Sequence, residues 1–221
     1  VKFFPGFNNQ ADSWKRFSQR IKYNKLDINL DEDWKKFVNK TKNPKSSIKI
    51  AVVGKYFDTG DFVLSDSYLS VIEAIKYSSY YENVKPELTW INSKKYDDNP
   101  KLVKELADFD GVIVPGGFGE SGIEGKMAAI KFVRENKIPY LGVCLGLQIA
   151  TIEFCRNVLG MENANSTEFD ENTPHPAVIF MPEISKTHMG GTMRLGAKPT
   201  PFLVDDCKIK EVSSQTGSGA R

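Results

Sequence analysis

Between residues 48 and 143, short β-forming apolar runs alternate with amphipathic stretches, and this alternation narrows the possible folds more than any other feature of the chain. IKIAVVGKY reads as a strand followed by a polar loop containing Gly60. In DSYLSVIEAIKYSS, Asp66 suits an N-cap, and Leu69, Ile72 and Ile75 share one helical face. LTWIN, GVIVP and PYLGV read as further strands, with KLVKELADF and GIEGKMAAIKFVREN as the helices between them. Strands that alternate with helices are joined by right-handed crossovers. The expected fold is therefore α/β, a mostly parallel sheet flanked by helices on both faces. Such sheets bind ligands at the carboxyl ends of their strands. Two loops fall there: the glycine-rich one after GVIVP and the one that carries Cys144.

With 221 residues the chain holds one sizeable α/β domain and some length besides. Residues 1–47 are polar, with two aromatic-bearing segments around Trp14 and Trp34, and end in the loop-forming NKTKNPKSS. They read as an interdomain linker with short helices, and residues 48–221 as the domain itself. Beyond Gly160 the pattern weakens: NSTEFDENTPHP reads as loop, AVIF as a short strand, GGTMRLG and PFLV as β pieces, and SSQTGSGAR as a flexible end.

Lysine and arginine total 30 against 28 acidic residues, and the basic residues are scattered. That balance leaves no electrostatic footprint for nucleic acid or an anionic membrane. No apolar stretch approaches the roughly 20 residues that span a bilayer, and the first residues lack a secretory core, so a soluble, cytoplasmic chain is expected. The three cysteines, Cys144, Cys155 and Cys207, form neither a disulfide framework nor a metal site.

Gly142-Val143-Cys144-Leu145-Gly146 places a cysteine between glycines where a strand must become a helix. It is the thiol counterpart of the Gly-x-Ser-x-Gly nucleophile elbow. On so sharp a turn the residues two before and two after the nucleophile press against neighbouring backbone, which only small residues permit. The sulfur is then aimed out of the sheet at a helix N-terminus, where unpaired N–H groups attract negative charge. The amide of Leu145 would donate to an oxyanion formed beside the sulfur. A cysteine in an apolar segment is ordinarily a small buried hydrophobe; the two glycines and the strand-to-helix context reverse that reading for Cys144, whereas Cys155 and Cys207 keep it.

The second loop, GVIVPGGFGESGIEG, contains a formal Gly-x-Gly-x-x-Gly, but the next strand ends at Cys144 and not at the acidic residue a dinucleotide ribose requires. Its exposed amides are better read as facing the thiol, with Gly117 supplying the other half of an oxyanion hole. No phosphate-binding Gly-x-x-x-x-Gly-Lys-Ser/Thr occurs in the chain.

PGGFG, followed by GVCLG and Gln148, resembles the class I, triad-type glutamine amidotransferases. DSYLSVIEAI, NVLGMENANSTEF and MGGTMRLG resemble, within them, the glutaminase domains of cytidine triphosphate (CTP) synthases; the likeness runs from about Leu30 to Leu195. The resemblance implies a three-layer, flavodoxin-like fold, in which L-glutamine is hydrolysed through a cysteinyl thioester. The ammonia would pass to an N-terminal synthetase domain that aminates UTP to CTP with ATP and Mg2+, in a protein that assembles as a homotetramer. No cofactor is implied for the glutaminase domain itself. Carried over by position, Cys144 matches the nucleophile, the backbone of Gly117 and Leu145 the oxyanion and substrate-holding amides, and Gln148 and Glu168 the side chains that hold glutamine. Gln148 stands one helical turn beyond Cys144, on the same face, and Glu168 could accept hydrogen bonds from an α-ammonium group. Phe118 reads equally as a substrate contact or an ordinary loop aromatic.

The resemblance also implies a general base, the histidine of a His-Pro-Glu sequence, oriented by its glutamate. No His-Pro-Glu occurs here; the two histidines are His175, in TPHPAV, and His188, in KTHMGG. Met181-Pro182-Glu183 mimics the motif, but methionine takes no proton, so Glu183 is not read as catalytic. His188 is open to two readings, a solvated loop residue or one that approaches the pocket. Residues 48–221 would thus lack the C-terminal part of the domain, or represent a divergent form without its own base. Two further readings stand beside a glutaminase: a non-catalytic regulatory or assembly module of the same fold, and a γ-glutamyl or peptide hydrolase.

Overall fold

The computed structural model describes residues 30–55, 58–59, 62–63, 68–117, 121–180, 204, 206 and 210. Asp66, Gly60, Phe118, Glu183, His188, Cys207 and the GGTMRLG and SSQTGSGAR segments lie outside the described residues. The chain divides into two compact units, one running to Glu162 and one from Asn163.

In the first unit a helix, α1 (Leu30–Lys42), precedes the strand β1 (Ser46–Gly54), a two-residue hairpin of β2 (Asp58–Thr59) and β3 (Phe62–Val63), and the helix α2 (Leu69–Tyr81). Then follow β4 (Val84–Asn92), the one-turn helix α3 (Lys94–Asp98), a 3-10 helix (Pro100–Asp108), β5 (Gly111–Val114), α4 (Ile123–Glu135), β6 (Tyr140–Gly142) and α5 (Leu145–Asn157). The main sheet has the order β4-β1-β5-β6 and is parallel throughout. Strand β1 is central, with Ile50 beside Gly111 on one side and Leu88 on the other. Its last four residues are all buried, as a parallel strand covered on both faces requires.

Val52 and Ile113 pack with Tyr68 and Ile75 on one face of the sheet. Ala51, Val53, Val112 and Val114 alternate to the other face and are almost wholly inaccessible. Helix α1 packs on α2, whereas α4 packs on α3, the 3-10 helix and α5; α3 also packs on the 3-10 helix, α4 touches β1 and β6, and α5 touches β5 and β6. Burying each large aliphatic side chain of this core contributes roughly 1.5–3 kcal/mol. Arg134 of α4 ties that layer to Glu153 of α5 through two bonds, Nε to Oε2 at 2.9 Å and Nη2 to Oε1 at 2.7 Å.

Several elements depart from the sequence reading, among them the short β2–β3 pair, which lies where the sequence reads as polar loop. Strand β4 begins at Val84, well before LTWIN, and includes Pro86, whose missing N–H is tolerated because β4 is an edge strand. KLVKELADF winds as a 3-10 helix, capped by the Asn99 side chain, which accepts from the Lys101 N–H at 3.2 Å; nine residues are too few for apolar spacing to separate 3.0 from 3.6 residues per turn. Helix α3, KKYDD, has no apolar periodicity to announce it and buries one side chain, Tyr96.

In the second unit, β7 (Asn165–Ser166) and β8 (Pro176–Val178) form a small parallel pair. The Asn165 N–H donates to the His175 carbonyl and the Thr167 N–H to the Val178 carbonyl, both at 3.0 Å. The first of these strands falls in a stretch the sequence reads as loop, since two residues carry no period.

Candidate active site

Strand β6 ends at Gly142 and α5 begins at Leu145, so the chain reverses direction through Val143 and Cys144. Cys144 holds the N-cap position with φ +54° and ψ −111°. A side-chain-bearing residue rarely adopts that left-handed geometry, and it persists only where the surroundings enforce it. Here they do. The Val143 N–H donates to the Val114 carbonyl at 3.0 Å, anchoring the approach to β5. The Gly146 N–H donates to the Val143 carbonyl at 3.0 Å and the Gln148 N–H to the Cys144 carbonyl at 3.1 Å, which starts the helix.

The flanking glycines answer a steric demand. A Cβ on Gly142 would stand 2.7 Å from both the Gly146 carbonyl carbon and the Leu147 nitrogen, and one on Gly146 would overlap the carbonyl oxygen of Val114. The spacing read from sequence as a tight elbow therefore corresponds to real close approach on both sides of the cysteine. The Cys144 side chain is exposed.

The glycine-rich loop leaves β5 beside this turn. A Cβ on Gly116 would lie 3.3 Å from the Cys144 Cβ and 3.7 Å from its Sγ, so the sulfur rests over bare backbone. Gly117 follows, half-buried. The Tyr68 hydroxyl donates to the Gly116 carbonyl at 3.4 Å. Because the C=O and N–H of one peptide point in opposite directions, this contact biases the Gly117 N–H away from Tyr68. Leu145 is buried and opens α5, where no intrahelical acceptor reaches its N–H. Gln148 is half-buried one turn beyond Cys144, on the same face.

Glu168 belongs to the second unit. It is exposed on the turn after β7, and its N–H donates to the buried Ser166 Oγ at 3.2 Å. His175 lies in the same unit, just before β8. Among the described residues no group of three or more His, Cys, Asp or Glu side chains could hold a metal ion. No helix among them is long and apolar enough to cross a membrane.

Three residues near the elbow carry no obvious sequence signal. Gly116 is one glycine among several in its loop. Tyr68 and Tyr140 read as ordinary aromatic positions of a helix and a strand, yet their hydroxyls reach the backbone on either side of Cys144: Tyr68 to Gly116 and Tyr140 to the Gly146 carbonyl at 2.8 Å.

Comparison with known proteins agrees with this geometry. Residues 63–217 match the family model described as glutamine amidotransferase class-I. The chain is 50% identical over 183 residues to a CTP synthase of Caldanaerobacter subterraneus subsp. tengcongensis, covering 82% of this chain and 33% of that one. It is also 50% identical over 167 residues to a CTP synthase of Methanococcoides burtonii, covering 75% and 30%. It thus spans about a third of the length of the curated relatives it matches. A solved structure described as the glutaminase domain of Trypanosoma brucei CTPS with bound acivicin superposes with a TM-score of 0.58 at 37% identity, covering 64% of this chain and 53% of that one. The parallel sheet flanked by helices is the architecture expected from the sequence, and the chain belongs to the class I glutamine amidotransferase family.

Proposed function

We propose that this chain is the glutaminase part of a CTP synthase, and that Cys144 is its nucleophile. The observation that carries the reading is the exposed cysteine held at φ +54° on the elbow, with its sulfur over the bare backbone of Gly116. The sulfur attacks the side-chain amide carbon of L-glutamine, and the carbonyl oxygen takes up negative charge between the N–H groups of Gly117 and Leu145. As the intermediate collapses the C–N bond breaks. The proton lost by the thiol ends on the departing nitrogen, which leaves as ammonia. Water then cleaves the thioester to release glutamate. Gln148 and Glu168 hold the substrate, the first as a neutral amide beside the sulfur and the second through charge-assisted bonds to the α-ammonium group.

On the same reading, ammonia passes to a synthetase part of the parent protein, which aminates UTP to CTP. ATP and Mg2+ belong to that part. Residues 1–47 serve as the connector to it, residues 48–221 belong to the glutaminase domain, and the assembled protein is a cytoplasmic homotetramer.

The reading is tested by mixing the chain with L-glutamine, quenching in acid and measuring intact mass. Wild type should gain one γ-glutamyl group, and Cys144→Ala should gain none. An adduct of equal yield on both would refute it.

A further inference from the structure

Tyr140 stands two residues before Gly142 on β6, so the two positions share one face of the strand. The tyrosine leans along the strand and brings its hydroxyl to 2.7 Å from where a Cβ of Gly142 would be. Any other residue at 142 would fill that space. From there the hydroxyl donates to the Gly146 carbonyl at 2.8 Å, a well-formed bond to the first turn of α5. Burial pushes the phenol pKa well above its usual value, so the group stays a donor at any physiological pH.

Among the described residues, four hydrogen bonds tie the segment 143–148 together and to its flanking strands. Three are made within the backbone, by Val143, Gly146 and Gln148. The fourth, from Tyr140, is the side-chain bond that ties the strand side of the bend directly to the helix side. We propose that Tyr140 is a positioning residue for the acyl-transfer step: its hydroxyl fixes the first turn of α5 against β6, and so fixes the Leu145 N–H relative to the Cys144 sulfur. It touches neither substrate nor the reacting atoms. The space that Gly142 leaves empty serves two purposes, clearance for the chain reversal and room for this strut.

The inference rests on Cys144 acting as the nucleophile, and the experiment separates the two ideas. An electrophilic analogue of glutamine is used to inactivate wild type and Tyr140→Phe, a change that keeps the ring and removes only the donor. The saturating inactivation rate should fall roughly 10–100-fold in Tyr140→Phe, the range expected for a misplaced catalytic geometry, while the half-saturating concentration stays within about twofold. Alkylation of Cys144 by iodoacetamide, which needs no oxyanion support, should be alike in both proteins. An unchanged saturating rate overturns the positioning role and leaves the nucleophile intact. Failure of the analogue to label Cys144 in wild type overturns the nucleophile and the positioning role with it. A crystal structure of Tyr140→Phe provides a second measurement: the first turn of α5 should shift against β6, and an unmoved elbow would contradict the proposal.

Discussion

The sulfur of Cys144 lies 3.7 Å from the point where Gly116 would carry a Cβ, so the glycine-rich loop presents main chain, not side chain, to the thiol. A methyl group fits there only by crowding the Cys144 Cβ, 3.3 Å away. Gly116→Ala is therefore expected to leave the fold largely intact and to slow inactivation by an electrophilic glutamine analogue by about tenfold or more, since small displacements at a reacting centre are costly. A stopped assay of Cys144 labelling, run beside a thermal melt, checks both halves of this expectation.

Gly146 and Gly160 make a contrasting pair. A Cβ on Gly146 would run into the Val114 carbonyl, whereas one on Gly160 would meet nothing, though its φ of +69° disfavours any side chain. Gly160→Ala should cost about 1–2 kcal/mol from backbone strain alone. Gly146→Ala should cost about 3 kcal/mol or more, because helix and strand must separate. Denaturant unfolding of the two variants gives the comparison; equal losses would mean that the elbow is looser than its contacts imply.

Lys126 is fully buried in the first turn of α4, and among the described residues its Nζ has no hydrogen-bond partner. Burial, then repulsion from Lys55, lowers its pKa from 10.5 to about 8, against a smaller opposing pull from Asp97. Between those two values the unfolded chain keeps a proton that the folded chain has released, so this group makes the fold more stable as pH rises from about 8 to 10.5. Below pH 8 both states carry the charge and the fold bears its desolvation. Lys126→Met should thus raise stability at pH 7, by on the order of 3 kcal/mol at most, and the advantage should shrink through that window. Melting curves at pH 7 and pH 9.5 measure the difference.

The Arg134–Glu153 pair is lopsided: the Glu153 side chain is 1% exposed and that of Arg134 33%. Removing the arginine strands a carboxylate in the interior, whereas removing the glutamate frees a guanidinium that can turn toward water. Arg134→Met is expected to destabilise by about 3–5 kcal/mol, and Glu153→Met by clearly less. Urea titrations of both variants decide between this asymmetry and an equal loss.

Much of this molecule was legible in its sequence because its candidate site sits where periodicity changes. The alternation from Ile48 to Val143 marked every strand of the main sheet, and Gly142 and Gly146 marked the elbow, because close approach of backbones leaves glycine no substitute. What stayed hidden has a common cause. Helix α3 and β7 are too short for a repeat to show, and the 3-10 geometry of Pro100–Asp108 differs from an α-helix by less than one residue per turn. Tyr140 and Tyr68 act through single hydroxyls that reach across the fold, and no local spacing encodes a contact of that kind.

The most direct measurement is peptide mapping of the chain after reaction with an electrophilic glutamine analogue, with and without excess L-glutamine. Label on Cys144, absent from Cys155 and Cys207 and suppressed by glutamine, is the expected result. Label on Cys155 or Cys207 with Cys144 unmodified, or labelling of Cys144 that glutamine leaves untouched, would contradict the assignment of this elbow to glutamine hydrolysis.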